Sequence, residues 1–358
     1  MIDLPSRKKV IREFQKKGGK IAAVLPIRYP RELFRAFGFL PVEVWGPPHA
    51  DVTLGGSHLQ SYTCDIVRNA VSFLLSGGLD RTDLILVPHT CDSLQGMGSV
   101  LLDFVHPKQK VLTLYHPRGV RKADFDFLTE ELKRLCGELS GWTGGEPPPG
   151  AFWEAIYREE TADRALARLY RDRELLGLSD REFYRIVRSR EFLPAEDFIE
   201  NEKKLARREK RSTSGVPILL SGIVPEPMDL FDEIETMGAR VVADDLACGT
   251  RRLYKSGHSE DPFVRMAERL FSAPPDPTRG SPISERADHL KNLIRKSGAK
   301  GVLIYDVKFC EPELFDVPLL RKKLEAEGTP VNYVEFEMGK ILSQQTLTRI
   351  EAFIEMIG

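Results

Sequence analysis

The chain lacks any apolar run near the roughly 18 residues that a membrane-spanning helix needs, so no span is expected. It also lacks a surplus of either charge: 52 basic side chains stand against 53 acidic ones in 358 residues, a net charge of −1. Nucleic acids and membrane surfaces are usually met by a basic excess, so neither is an expected partner. The positive N-terminus, "MIDLPSRKKVIREFQKKGGK", is not followed by the apolar stretch of a signal peptide. The expected location is the cytoplasm. Cysteine is scarce, with five residues and no close pairs. An odd, scattered set is not a disulfide framework. It leaves reduced thiols, available for metal or redox chemistry or simply for packing. Missing too is a GxGxxG or Walker pattern. The glycine-bearing "GGSHLQS" (55–61) could approach a phosphate but matches neither, so ATP binding by this chain is not expected.

Two segments alternate strand and helix signals. In the first, strand-length runs lie at 20–27, 40–46, 83–89 and 110–116, with helical patterns at 30–38 and 65–78. In the second, strands are predicted at 216–222, 239–245, 300–306 and 330–337. Helices are predicted at 228–238 and 285–298 and at the C-terminus. Each segment has a strand ending in a proline-bearing turn, a short helix stopped by glycine, and a later apolar strand running into a cysteine. The pattern predicts an α/β protein of two Rossmann-like (flavodoxin-like) parallel-sheet lobes facing each other across a cleft. The lobes would span 1–149 and 214–358, with a purely helical insert at 150–213. Within the insert, the charged 201–215 stretch reads as a solvated helix face running into a hinge.

Cysteines carry the candidate chemistry. Cys136 adjoins the helical apolar face of Phe125, Leu128, Leu132, Leu135 and Leu139 and reads as packing. Cys64, Cys91 and Cys310 are each expected at a helix N-terminus, where free amides and the helix dipole favour a thiolate. Cys91 and Cys310 also follow strands at their carboxyl ends, where open α/β sheets bind ligands. Cys64 and Cys91 belong to one lobe and Cys310 to the other, so a shared ligand would lie in the cleft. Three thiolates suit a zinc ion completed by His89 or water, or an iron–sulfur cluster with one iron left for substrate or solvent. Other candidates are Asp244, Asp245, Cys248 and Arg251 at a strand end. The loop histidines His49, His58 and His89 are also candidates, of which His49 and His89 are taken forward as acid–base groups.

The segments "GIVPEPMDLFDEIETMGARVVADDLACGTRR" and "KGVLIYDVKFCEPELFDVPLLRKKLEAEGTPVNYVEFE" resemble the 2-hydroxyacyl-CoA dehydratase family, which includes benzoyl-CoA reductase subunits. "PRELFRAFGFLPVEVWG", "SYTCDIVRNA", "VPHTCDS" and "QTLTRIEAFIEMI" are similar to it in order and spacing. The resemblance implies a [4Fe–4S] cluster on Cys64, Cys91 and Cys310, with Cys248 as a further candidate ligand. It implies a single electron received from a separate ATP-dependent iron–sulfur activator and passed to an acyl-CoA thioester. It also implies a second subunit, homologous or identical. A branch of the family reduces small molecules on a double-cubane [8Fe–9S] cluster, which needs about six cysteines by the ratio of three per cubane. The chain has five, so that branch is the lesser expectation. Two rivals remain at this stage: a non-catalytic, cluster-bearing partner subunit, and a two-lobed solute-binding protein, which leaves the cysteines unexplained.

Overall fold

All eight predicted strands form. They are β1 (Lys20–Val24), β2 (Phe39–Glu43), β3 (Leu84–His89), β4 (Lys110–Tyr115), β5 (Val216–Gly222), β6 (Ala239–Leu246), β7 (Gly301–Val307) and β8 (Val331–Phe336). The computed structural model describes residues 3–47, 52–207 and 214–358. His49 and the hinge expected near 208–213 lie outside the described residues. The strands build two parallel sheets in the orders β2-β1-β3-β4 and β6-β5-β7-β8. The repeated order confirms the two-lobed α/β reading. In each lobe the order reverses between the first and third strands, which opens a crevice at the carboxyl edge. Near-continuous burial along β1, β2, β5 and β7 explains their unbroken apolar runs, since a parallel sheet is covered on both faces.

Gly222 ends β5 at φ +143°, and a Cβ there would come within 2.1 Å of the Tyr305 carbonyl oxygen. Only glycine fits where β5 crowds β7. The insert supplies helices Ala151–Arg171, Asp180–Ser189 and Ala195–Lys203. Leu166, Phe183, Tyr184 and Phe198 from these helices share one apolar cluster with Ile21 and Leu40 of the first sheet and Ile218 and Leu220 of the second. The insert is therefore the common core of the two lobes. Chain order and packing also part company further on. Helix Pro262–Phe271, late in sequence, buries Met266, Ala267 and Leu270 against Leu128, Leu132 and Leu135 of the first lobe's helix Lys122–Thr143.

Candidate functional site

Cys64, Cys91 and Cys310 are the N-cap residues of helices Asp65–Leu75, Asp92–Val100 and Glu311–Glu325. Cys91 stands after β3 and Cys310 after β7, equivalent places in the two lobes. Phe309, just before Cys310, takes a left-handed φ of +64°, a strained turn that swings the chain from β7 into its helix. Glu311 and Pro312 then occupy the first turn, as the dipole and the fixed φ of proline favour.

The Cys64 and Cys310 thiols hydrogen-bond each other across the lobe boundary. That bond, with Cys310 donating, draws the Cys64 thiol below its ordinary range, and the amides of Ile66 and Val67 add to the effect. The same bond and burial drive Cys310 well above it. Cys91 is pushed up to about 12 by burial, and it feels the Cys64 charge. Cys64 alone is lowered, and chiefly by the Cys310 thiol with the helix amides second; burial outweighs the amides at Cys91, and at Cys310 the bond to Cys64 and burial act together. Among the described residues, no three His, Cys, Asp or Glu side chains are grouped tightly enough to hold one metal ion. A mononuclear zinc site with His89 is therefore not formed.

The remaining candidates fall elsewhere. The His89 ring packs edge-on to Tyr115 with centroids 4.6 Å apart. It fills the space a Cβ on Gly98 would take. Both ring nitrogens are buried without a protein partner, and burial lowers the pKa, so the ring is neutral. His58 is exposed. Gly55 serves packing: its amide donates to Ser72 Oγ at 2.7 Å, and a Cβ would lie 2.4 Å from the Arg68 carbonyl oxygen. Cys136 packs as expected and is pushed up to about 11 by burial. Cys248 is fully buried in the apolar core, where burial raises its thiol and the Arg188 and Arg252 charges oppose that. Asp244 accepts from Tyr184 Oη at 2.8 Å and from the Thr250 amide at 2.9 Å, a turn-capping role. Asp245 receives Arg251 through two bonds of 3.0 and 2.8 Å.

Two acids escaped the sequence reading. Asp306, at the end of β7, is fully buried with Oδ2 unpartnered. Burial, with Glu313 and Cys64 nearby, raises its pKa well above the carboxylate range. The only signal was an acid closing the apolar run "GVLIYD". Glu313 lies in the first turn of the Cys310 helix and takes Arg251 on one oxygen and Arg286, at 2.9 Å, on the other.

Comparison with known proteins adds a family. Residues 26–357 match the model described as 2-hydroxyglutaryl-CoA dehydratase, D-component. The (R)-2-hydroxyglutaryl-CoA dehydratase subunit beta of Acidaminococcus fermentans is 26% identical over 98% of this chain and 96% of its own. The (R)-phenyllactyl-CoA dehydratase beta subunit of Clostridium sporogenes is 23% identical over 98% and 95%. A benzoyl-CoA reductase subunit of Thauera aromatica is 24% identical over 93% and 89%.

Proposed function

The chain belongs to the 2-hydroxyglutaryl-CoA dehydratase D-component family, and from that premise we propose that it is the iron–sulfur subunit of an acyl-CoA dehydratase or reductase. The observation that supports the reading is the placing of Cys64, Cys91 and Cys310 as caps of helix N-termini from both lobes, with the Cys64 and Cys310 thiols paired across the lobe boundary and Cys91 within reach of the Cys64 charge. These thiols would hold a [4Fe–4S] cluster. When bound, such a cluster supplies one-electron transfer to the thioester carbonyl of an acyl-CoA, from an electron delivered by an ATP-dependent activator.

This chain's own residues would do the rest. The amides of Ile66 and Val67 favour the Cys64 thiolate, and those of Ser93 and Leu94 oppose the burial that keeps Cys91 protonated. Apolar burial of the pair Cys64 and Cys310 excludes water from their sulfurs. His89, neutral and with unpartnered nitrogens, is the acid–base candidate among the described residues, and His49 is the other. Cys248 is left out of the ligand set because it is fully buried in the apolar core and burial holds it protonated. The relatives named as beta subunits support a second, homologous subunit as partner.

Anaerobic purification tests the proposal through iron and sulfide counts. About four irons per chain are expected for one cubane. Cys64→Ser, Cys91→Ser and Cys310→Ser should each lower that number, while Cys136→Ser should not. Iron content unchanged in all three ligand variants would end the reading.

A further inference from the structure

The sequence contains the string Thr-Cys-Asp twice, at 63–65 and 90–92. Each copy opens a helix, so each aspartate is the first helical residue after a cysteine cap. Local chemistry is the same in both, and both acids suit the positive end of a helix. Their surroundings differ. The Asp92 side chain is 78% exposed and pairs at 3.5 Å with Arg118 of its own lobe. Asp65 is buried. Its carboxylate Oδ2 accepts the Met338 amide of the other lobe at 3.2 Å, and its own amide donates to the Lys308 carbonyl of that lobe at 3.4 Å.

These two bonds bracket the thiol pair. Asp65 follows Cys64 directly, and Lys308 precedes Cys310 by two residues. Met338 is seated as well: its side chain lies against Gly46 and shares an apolar cluster with Trp45 and Cys64 of the first lobe. Glu337 beside it pairs with Lys308 at 3.3 Å, which ties the strand end after β8 to the turn that carries Cys310. Pulling the Met338 amide away from Asp65 would therefore loosen the Cys310 turn against Cys64.

We infer that Asp65 is a positioning residue, which staples the second lobe's 308–310 and 337–338 turns to the Cys64 helix and so keeps the Cys64 and Cys310 sulfurs in register. Cys64 and Cys310 matter as ligands only under the proposed function, but the staple itself is a property of the metal-free chain. What Asp65 contributes is an acceptor oxygen, which asparagine also offers and alanine does not. Its other oxygen, Oδ1, faces Arg68 of the same helix at 3.5 Å.

The test is timed labelling of the metal-free, full-length chain with N-ethylmaleimide, read cysteine by cysteine by mass spectrometry. In Asp65→Ala, Cys64 and Cys310 should label about tenfold faster or more, the effect on local opening of leaving the buried Met338 amide without its acceptor. Asp65→Asn should stay within about twofold of the parent chain, since the acceptor is retained. Cys136 and Cys248, both buried and outside the staple, should label at parent rates in both variants. Equal acceleration at all buried cysteines would mean global destabilisation and would overturn the inference. So would no acceleration in Asp65→Ala, or an Asp65→Asn chain as fast as Asp65→Ala.

Anaerobic reconstitution with iron and sulfide gives the second readout. Asp65→Asn should keep parent iron content, because the acceptor oxygen that holds the two turns together is retained, and Asp65→Ala should lower it. Parent iron content in Asp65→Ala would also count against the inference. Failure of the iron reading is separately visible: Cys64→Ser and Cys310→Ser would then leave iron content unchanged, whatever the labelling rates of the Asp65 variants.

Discussion

Just past β4, His116 lies within 2.7 Å of the Arg28 carbonyl oxygen. A carbonyl only accepts, so Nε2 carries the proton and donates. Burial, followed by the Arg28 charge, lowers the pKa from 6.5 to about 3. The unfolded chain therefore takes up a proton below pH 6.5 that the folded chain refuses until about pH 3. This residue's contribution is complete above pH 6.5 and is lost as pH falls through that window. At pH 5.5 the loss should be about 1.4 kcal/mol relative to neutral pH. Urea unfolding at pH 7.5 and 5.5 checks this: His116→Gln, which can still donate to the carbonyl, should lose that much less on acidification. Little of this was visible in advance. A histidine closing an apolar strand was legible, but its charge state depends on Arg28 and on burial by distant segments. The cysteines behaved alike. Their helix-cap positions were readable from local sequence, whereas the rise of Cys91 was set by burial and that of Cys310 by the Cys64 thiol and burial, neither of which local sequence encodes.

The Cys310 helix is anchored by a buried charge cluster. Arg251 binds Asp245, Asp276 and Glu313, and Arg286 binds Glu313 and, at 2.5 Å, Asp316. Arg251 and Arg286 are both fully buried. Burial pushes the Asp276 carboxyl up, yet Arg28 and Arg251 outweigh it and hold the group at about 2. Removing one member of such a cluster leaves uncompensated buried charge, which costs about 3–5 kcal/mol. Arg251→Met should lower stability by that amount in denaturant titrations, with Arg321→Met, on the exposed side of the same helix, as a near-neutral control. At β5, Gly222→Ala should cost at least about 1 kcal/mol, because the new Cβ meets the Tyr305 backbone. The elements themselves were legible, since buried parallel strands read as unbroken apolar runs and the helices carried stop signals. The anchoring was not: Arg251 and Glu313 are 62 residues apart, and no local pattern pairs them.

For the whole molecule, the shared core built by the insert makes one unit of two lobes, with Cys64 and Cys310 at their seam. Arg252 strengthens that seam from the second lobe by reaching Glu43 of β2, which also accepts Tyr29 Oη at 2.8 Å and Trp45 Nε1 at 2.9 Å. No helix among the described residues is long and apolar enough to cross a membrane. At this scale the two cluster types separate: about four irons per chain are expected, against about eight for a double cubane. Metal analysis after anaerobic purification decides between them. Acyl-CoA turnover is expected only when a second subunit and an activator are added. Turnover by the chain alone would contradict the partner requirement.

Local sequence determined the eight strands, their parallel two-lobed arrangement and the placing of three cysteines at helix starts. It could do so because hydrophobic periodicity, glycine and proline act over a few residues. The tertiary structure decided which thiols meet, which are neutral, and which of two identical Thr-Cys-Asp strings spans the lobes. Those outcomes depend on burial and on partners more than two hundred residues away, as Asp65 and Met338 are. Desolvation and pairing are properties of the packed whole, and a short stretch of chain does not contain them.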